Sequence, residues 1–248
     1  MVTRFLPLAA VLFLCLGGCA ATTHQASDGF KPPSGKYRLV VMKPDISVSV
    51  LTAGGLNEPR EDWTRTAREN ILASLKQQQA KRGGSTQVVF ASTSAASDDP
   101  KLAELDRLHE AVGQSILLHK YTPYAALPTK QHKFDWTLGK LATDYGAATG
   151  NDYALFLFAR DSFSSGGRVA LQAVGMLGCV VGVCVMPGGG MQQAFVSLVD
   201  LKSGNVVWFN HLVSTVGDIR TPEGADAMVN KLLETMREPD APKKSRKT

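Results

Sequence analysis

The run "YALFLFA" at residues 153–159 constrains this chain more than any other stretch. It follows a helix stop at Gly150, has strand length, and is almost continuously apolar. Successive side chains on a strand point to opposite faces, so a strand apolar at nearly every position is covered on both. The flanking sequence supplies helices for that purpose. In "NEPREDWTRTARENILASLKQQQAKRGG", Trp63, Ala67, Ile71 and Leu75 recur every four residues as one stripe, and Gly83-Gly84 ends it. A second helix starts near Pro100, with Asp99 as its cap, and carries Leu102, Leu105, His109, Val112 and Ile116 at spacings of three and four. His109 lies on that stripe and reads as a packed or boundary residue, not a ligand. Asp135 is placed to cap a third helix bearing Leu138, Leu141, Ala142 and Tyr145, and Thr221-Pro222 opens the last one.

Extended segments alternate with these helices. "KYRLVVMKPDISVSVLTAGG" is rich in Val, Leu and Ile, with Pro44 marking a bend, bulge or edge. "TQVVFAS" (86–92) is a short strand, and "MQQAFVSLVDLKSGNVVWFNHLVST" reads as a hairpin turning at Lys202-Ser203-Gly204-Asn205. The order is strand, helix, strand, helix, helix, strand, apolar insert, hairpin, helix. It predicts an α/β (α+β) architecture: a mixed sheet of about five strands with helices packed on it, in a single domain over 36–238.

The N-terminus points outside the cytoplasm. Arg4 precedes an apolar run from Phe5 to Leu16, the layout of a secretory signal. The run ends in Leu16-Gly17-Gly18-Cys19, which resembles the lipobox of bacterial lipoproteins. That resemblance implies cleavage after residue 18, acylation of Cys19, and a chain held in a membrane by its lipid. Ala20 and Ala21 follow, with no Asp, and by the same resemblance this implies the outer membrane, with the domain facing the periplasm. Residues 19–35, rich in Thr, Ser, Gly and Pro, read as a lipidated tether. The net charge of +5 is concentrated in a disordered basic tail (239–248) containing Lys243, Lys244, Arg246 and Lys247. Without the tail and Arg4 the body is near neutral, and nucleic acid is excluded as a partner for an exported, anchored chain.

"LGKLATDYGAATGNDYALFLF" followed by "AFVSLVDLKSGNVVWFN" also resembles a pattern shared by curli-export lipoproteins, penicillin-binding-protein activator lipoproteins and the TolB N-terminal domain. The matching hairpin positions are Val199, Asp200, Ser203, Gly204, Val206 or Val207, and Trp208. The resemblance implies an anticodon-binding-like α/β fold used for protein contact.

The insert at about 165–190 is the stretch least like an ordinary core element. From Val169 to Met186 only Gln172 is strongly polar. As a helix those residues would reach about 27 Å, borderline for a bilayer span, and Gly178 and Gly182 have the Gly-x-x-x-Gly spacing of packed membrane helices. A buried or interface helix followed by a glycine loop fits as well. Val174, Gly178, Gly182 and Val183 are the candidate partner-contact surface, together with the exposed hairpin edge. Cys179 and Cys184 are the candidate disulfide. On a continuous helix their Cα atoms would lie about 8–9 Å apart, beyond the roughly 7 Å a bridge tolerates. A turn, most easily at Gly182, would be required; bridged and free thiols both remain open on sequence.

Chemistry is otherwise scarce. There is no His-Glu-x-x-His, no Gly-x-Ser-x-Gly and no phosphate-loop Lys-Ser/Thr, and no metal or cofactor is nominated. The expected function is a lipid-anchored accessory or scaffolding protein without catalysis, touching the membrane through Cys19 and an envelope protein or a second copy through its domain. The alternatives are an oligomeric export or pore component inserting 169–187, and a periplasmic enzyme with a site assembled from distant residues.

Overall fold

A computed structural model describes residues 20–33, 36–82, 87–90, 100–130, 133–180, 182, 187–214 and 217–236. The strands are β1 (Ala20–Ala26), β2 (Arg38–Val41), β3 (Asp45–Leu51), β4 (Asn57–Pro59), β5 (Gln87–Phe90), β6 (Tyr153–Ser164), β7 (Gln192–Asp200) and β8 (Val206–Ser214). The helices are α1 (Glu61–Arg82), α2 (Pro100–Tyr121), α3 (Gly139–Thr149), α4 (Gly166–Val180) and α5 (Pro222–Leu233).

β6 is the axis of the sheet. On one side it pairs antiparallel with β7, and β8 and β1 follow outward, each antiparallel to its neighbour. On the other side two short strands share its length. β2 runs parallel beside Tyr153–Leu155 and β3 parallel beside Phe158–Ser164. The break between them is Met42-Lys43-Pro44, where a proline without an N–H cannot continue a ladder. β5 extends the sheet beyond β2, and β4 beyond β3.

The alternation of β6 feeds two cores. Leu155, Leu157 and Ala159 join Ala67, Ile71 and Leu75 of α1 and Met228, Val229 and Leu232 of α5. Phe156 and Phe158 point the other way, toward Leu105 and Ile116 of α2 and Ala142 of α3. In that second core Phe158 and Phe209 stack on either side of Phe195, with centroids 4.5 Å and 5.3 Å away. His109 lies flat on Phe156 at 4.4 Å, and its Nε2 lies 2.9 Å from the Ser197 Oγ. Burial pushes its pKa down to about 3, so it is a neutral packing residue. Local signals hold the ends. Thr221 Oγ1 accepts from Gly224 N at 3.1 Å to start α5, and Gly150, in the left-handed region, closes α3 by donating to Gly146 O at 2.7 Å. Buried Asn210 donates to the carbonyls of Leu232 (2.7 Å) and Lys231 (3.3 Å), tying β8 to the last turn of α5.

Three expectations change. The sheet has eight strands instead of about five, because the first extended run splits at Pro44 and because β4 and β1 join it. Within the segment read as a tether, Ala20–Ala26 instead forms a strand along β8. Edge pairing uses backbone groups alone, so a Thr-rich segment with no apolar alternation satisfies it. It follows that the outer edge of the hairpin is covered, not offered to a partner. Asp135, in addition, does not cap α3; it pairs with Lys130 at 2.8 Å, and the helix begins at Gly139. The signal segment, Cys19, Asp99 and the basic tail lie outside the described residues.

Two measurements check this architecture. A Cβ on Gly113 of α2 would overlap the Phe195 ring, whereas one on Gly166 would meet nothing within 4 Å. Gly113→Ala is therefore expected to lower stability by about 1–3 kcal/mol in spite of alanine's better helix propensity, with Gly166→Ala near neutral, by denaturant unfolding. Amide hydrogens of 20–26 that engage β8 are expected to exchange slowly; exchange at random-coil rates throughout would return the segment to a tether.

Candidate functional site

The end of β6 overhangs the sheet. Its pairing with β7 stops at Asp161↔Gln192, whereas pairing with β3 continues to Ser164↔Leu51. Ser165 N donates to Leu51 O (2.9 Å), and Ser165 Oγ accepts from Arg168 N (3.2 Å), so this serine caps α4 as it leaves the overhang. The return loop is fastened to the same strand end. Ser162 Oγ accepts from Met191 N (3.0 Å), and Ser164 Oγ accepts from Gly190 N (3.2 Å).

α4 is amphipathic with its faces reversed. Its two strongly polar residues, four apart, turn inward. Arg168 donates to Gly188 O (3.0 Å) and Ala53 O (3.3 Å), and Gln172 donates to Pro187 O (3.2 Å). Its apolar residues turn out: Val169, Leu171, Val174, Met176 and Leu177 are all exposed, Val174 at 66% and Leu177 at 69%. Leu56 and Met191, from loops at the same end of the sheet, raise the number to seven of the ten exposed large apolar side chains among the described residues. Covering α4's five would return about 1 kcal/mol each, about 5 kcal/mol in all. Isolated exposed leucines are ordinary, but a contiguous set of this size marks a contact surface.

Of the candidate contact residues, Val174 and Gly182 are exposed, Gly178 is half-buried, and Val183 lies outside the described residues. Gly178 and Gly182 do not share a helix. α4 ends at Val180, and Gly182, with φ +85°, donates to Cys179 O at 3.3 Å in a turn. The left-handed backbone there is what glycine permits. Cys179 is disulfide-bonded. Its sulfur carries no proton, so the 3.4 Å approach to Gly175 O is a contact and not a donated bond. Cys184 lies outside the described residues. At 15 residues α4 is about 22 Å long, and no helix among the described residues is long and apolar enough to cross a membrane.

Among the described residues, the two carboxyls that burial raises furthest lie on opposite faces of the sheet. Asp161, 4% exposed, faces the α1/α5 side below α4 and accepts from Gln192 Nε2 at 3.0 Å. Burial raises its pKa to about 6. It lines a cleft of about 190 Å³ with Ser162, Ser164, Gln192 and Ser214. Asp106, also raised to about 6 by burial and then by Asp45, sits on α2, across the sheet. Beside the cleft Arg220 lies over Phe163 (3.7 Å) and Trp63 (4.3 Å) while pairing with Asp218 at 2.7 Å. A larger groove of about 420 Å³, at the opposite end of the sheet, is lined by His119, Lys120, Thr122, Lys133 and Trp136. Among the described residues no group of three or more His, Cys, Asp or Glu could hold a metal ion.

Sequence reasoning named Val174 and missed Leu171, Met176, Leu177, Leu56 and Met191. One signal was present: Arg168 and Gln172, four apart on an otherwise apolar helix, mark the side that docks to the domain.

No family model matches the chain, and no curated protein matches it. Among solved structures it is similar to the PelC dodecamer from Paraburkholderia phytofirmans, at 11% identity over 89% of this chain and 99% of that one, with a TM-score of 0.41. A methionine variant of that dodecamer matches at 12% identity over the same shares, with a TM-score of 0.40. The LpoB C-terminal domain from Salmonella enterica matches at 15% identity over 84% of this chain and 92% of that one, with a TM-score of 0.27. Likenesses this loose carry no functional argument.

Asp161 gives this end of the sheet a pH signature. Its folded pKa of about 6 lies above the ordinary 3.8, so the contribution of its carboxyl is fully present below pH 4 and is lost as pH rises through 6. Asp161→Asn, which keeps the hydrogen bond to Gln192 without the charge, is expected to match the parent near pH 4 and to exceed it by on the order of 2 kcal/mol at pH 7. Denaturant melts across that range check it; a difference that does not change with pH would refute it.

Proposed function

We propose that this chain is a lipid-anchored accessory protein of the outer membrane, with its α/β domain in the periplasm. It works by contact and not by turnover. The observation that carries the reading is the reversed helix α4. Five large apolar side chains held in water, at the end of the sheet next to residue 19, are accounted for by a binding surface and serve no purpose in a monomer alone in solution. The disulfide at Cys179 supports a compartment outside the cytoplasm, where such bonds persist, and we assign its partner as Cys184.

The domain's partner in this reading is an envelope protein or a second copy. The groove beside Trp136, with lysines along an apolar floor, is open at the end away from α4. A pore formed by inserting 169–187 as a helix gains no support from α4, which stops at Val180.

Labelling with radioactive palmitate is expected to mark the parent and not Cys19→Ser, and the variant is expected to be released from the membrane fraction more readily than the parent. Amine-reactive crosslinking in intact cells is expected to trap the parent with an envelope protein or with itself. An unlabelled parent, or one that stays monomeric and uncrosslinked at every growth stage, would overturn the proposal.

A further inference from the structure

The register of β1 fixes more than an edge. Ala20 lies opposite Ser214, Ser214 opposite Gln192, and Gln192 opposite Asp161. All four mark one end of the sheet, the end from which α4 grows. The described chain therefore enters the sheet at Ala20, at this end and about 14 Å across from β6, three strand spacings away. In the anchored reading the acylated position is the residue before Ala20, so the lipid has no long tether with which to span a gap. For that lipid to enter a bilayer, the bilayer surface has to lie against this end of the sheet.

This is also the end that presents Val169, Leu171, Val174, Met176 and Leu177 to the outside. From this juxtaposition we infer that α4 rests on the bilayer surface, with its apolar face among the acyl chains, as the second membrane contact beside the lipid on Cys19. The inference rests on the anchored reading proposed above. Its physical basis is that a helix seated in the interface buries one apolar side and keeps polar groups off the acyl chains. In α4 the polar groups, Arg168 and Gln172, are already spent on carbonyls of the domain. Two or three acyl chains on one cysteine hold a protein stably but leave its orientation free, and a second contact orients the domain. A span is not required, and 15 residues are too few for one.

The test uses the full acylated chain in vesicles of phosphatidylethanolamine and phosphatidylglycerol carrying bromine-labelled acyl chains. Tryptophan is placed at Val174 on α4 or, as a control, at Lys202 in the β7–β8 turn at the far end. The fluorescence added by Val174→Trp is expected to be quenched and that of Lys202→Trp to be spared. Equal quenching at both positions, or none at 174, overturns the inference. So does a Val174→Trp signal that is shielded from bromine while the protein runs as a dimer or with a protein partner, because protein then covers the helix. A second measurement is independent of acylation. In the Cys19→Ser background, Val174→Asp combined with Leu177→Asp is expected to weaken co-sedimentation with the same vesicles about tenfold or more. Both sites are exposed, and unchanged circular dichroism verifies folding. If palmitate never labels the parent, the anchored reading falls by itself. If the parent is labelled and α4 ignores the lipid, only this inference falls.

Discussion

The structure depends on one strand being paired unequally on its two sides. β6 has β7 along one edge as far as Asp161, and on the other edge β2 and β3 in tandem as far as Ser164. Its first seven residues lie between two helix layers and alternate Leu155, Leu157 and Ala159 against Ala154, Phe156 and Phe158. Past Asp161 its last residues outrun β7, with Phe163 still packed against Trp63 of α1. A helix that grows from such an overhang has no core to fall into. α4 is therefore held at its polar side by loop carbonyls and left with its apolar side uncovered. The candidate contact surface is a direct consequence of where the ladder stops.

Much of the core was legible because it follows period and caps. The stripe of Ala67, Ile71 and Leu75 is buried as read, and so is that of Leu105, His109 and Ile116. Thr221 caps and Gly150 stops, because these are local preferences that tertiary structure had no reason to override. β1 was not legible. Its pairing with β8 runs through peptide groups, which every sequence supplies equally, and its side chains carry no alternation to betray it. β4 went unread for a similar reason, being three exposed residues with a proline. Asp135 shows the opposite error, a good cap residue three positions too early whose carboxylate had a lysine available.

The insert was legible in composition and not in orientation. An apolar helix can be buried, span a membrane or lie exposed, and residue types alone do not rank those outcomes. What separates them is length and the direction of the polar minority. Both were in principle readable: Gly182 is a natural stop that shortens the helix, and Arg168 and Gln172 share one face. The difficulty was that polar residues are ordinarily assigned to solvent. In α4 they bond carbonyls that the loops at 53 and 187–188 leave without a ladder partner, and satisfying those groups decides which way the helix turns.

β1 has two consequences that reinforce each other. As an edge strand it covers the outer peptide groups of β8, which would otherwise be a template for pairing with another chain. In the anchored reading, a strand that begins at Ala20 replaces a flexible leash by a stem of fixed direction. A leash would leave the domain free to present any surface to the membrane. A stem fixed in the sheet presents only one, and in the proposed arrangement that is the α4 end. The groove at His119 and Trp136 then faces the aqueous side, beyond the β7–β8 turn, where Trp136 O accepts from Val206 N at 2.9 Å. A protein oriented in this way meets lipid and aqueous partner on opposite ends of one sheet, and the strand order is what separates the two roles.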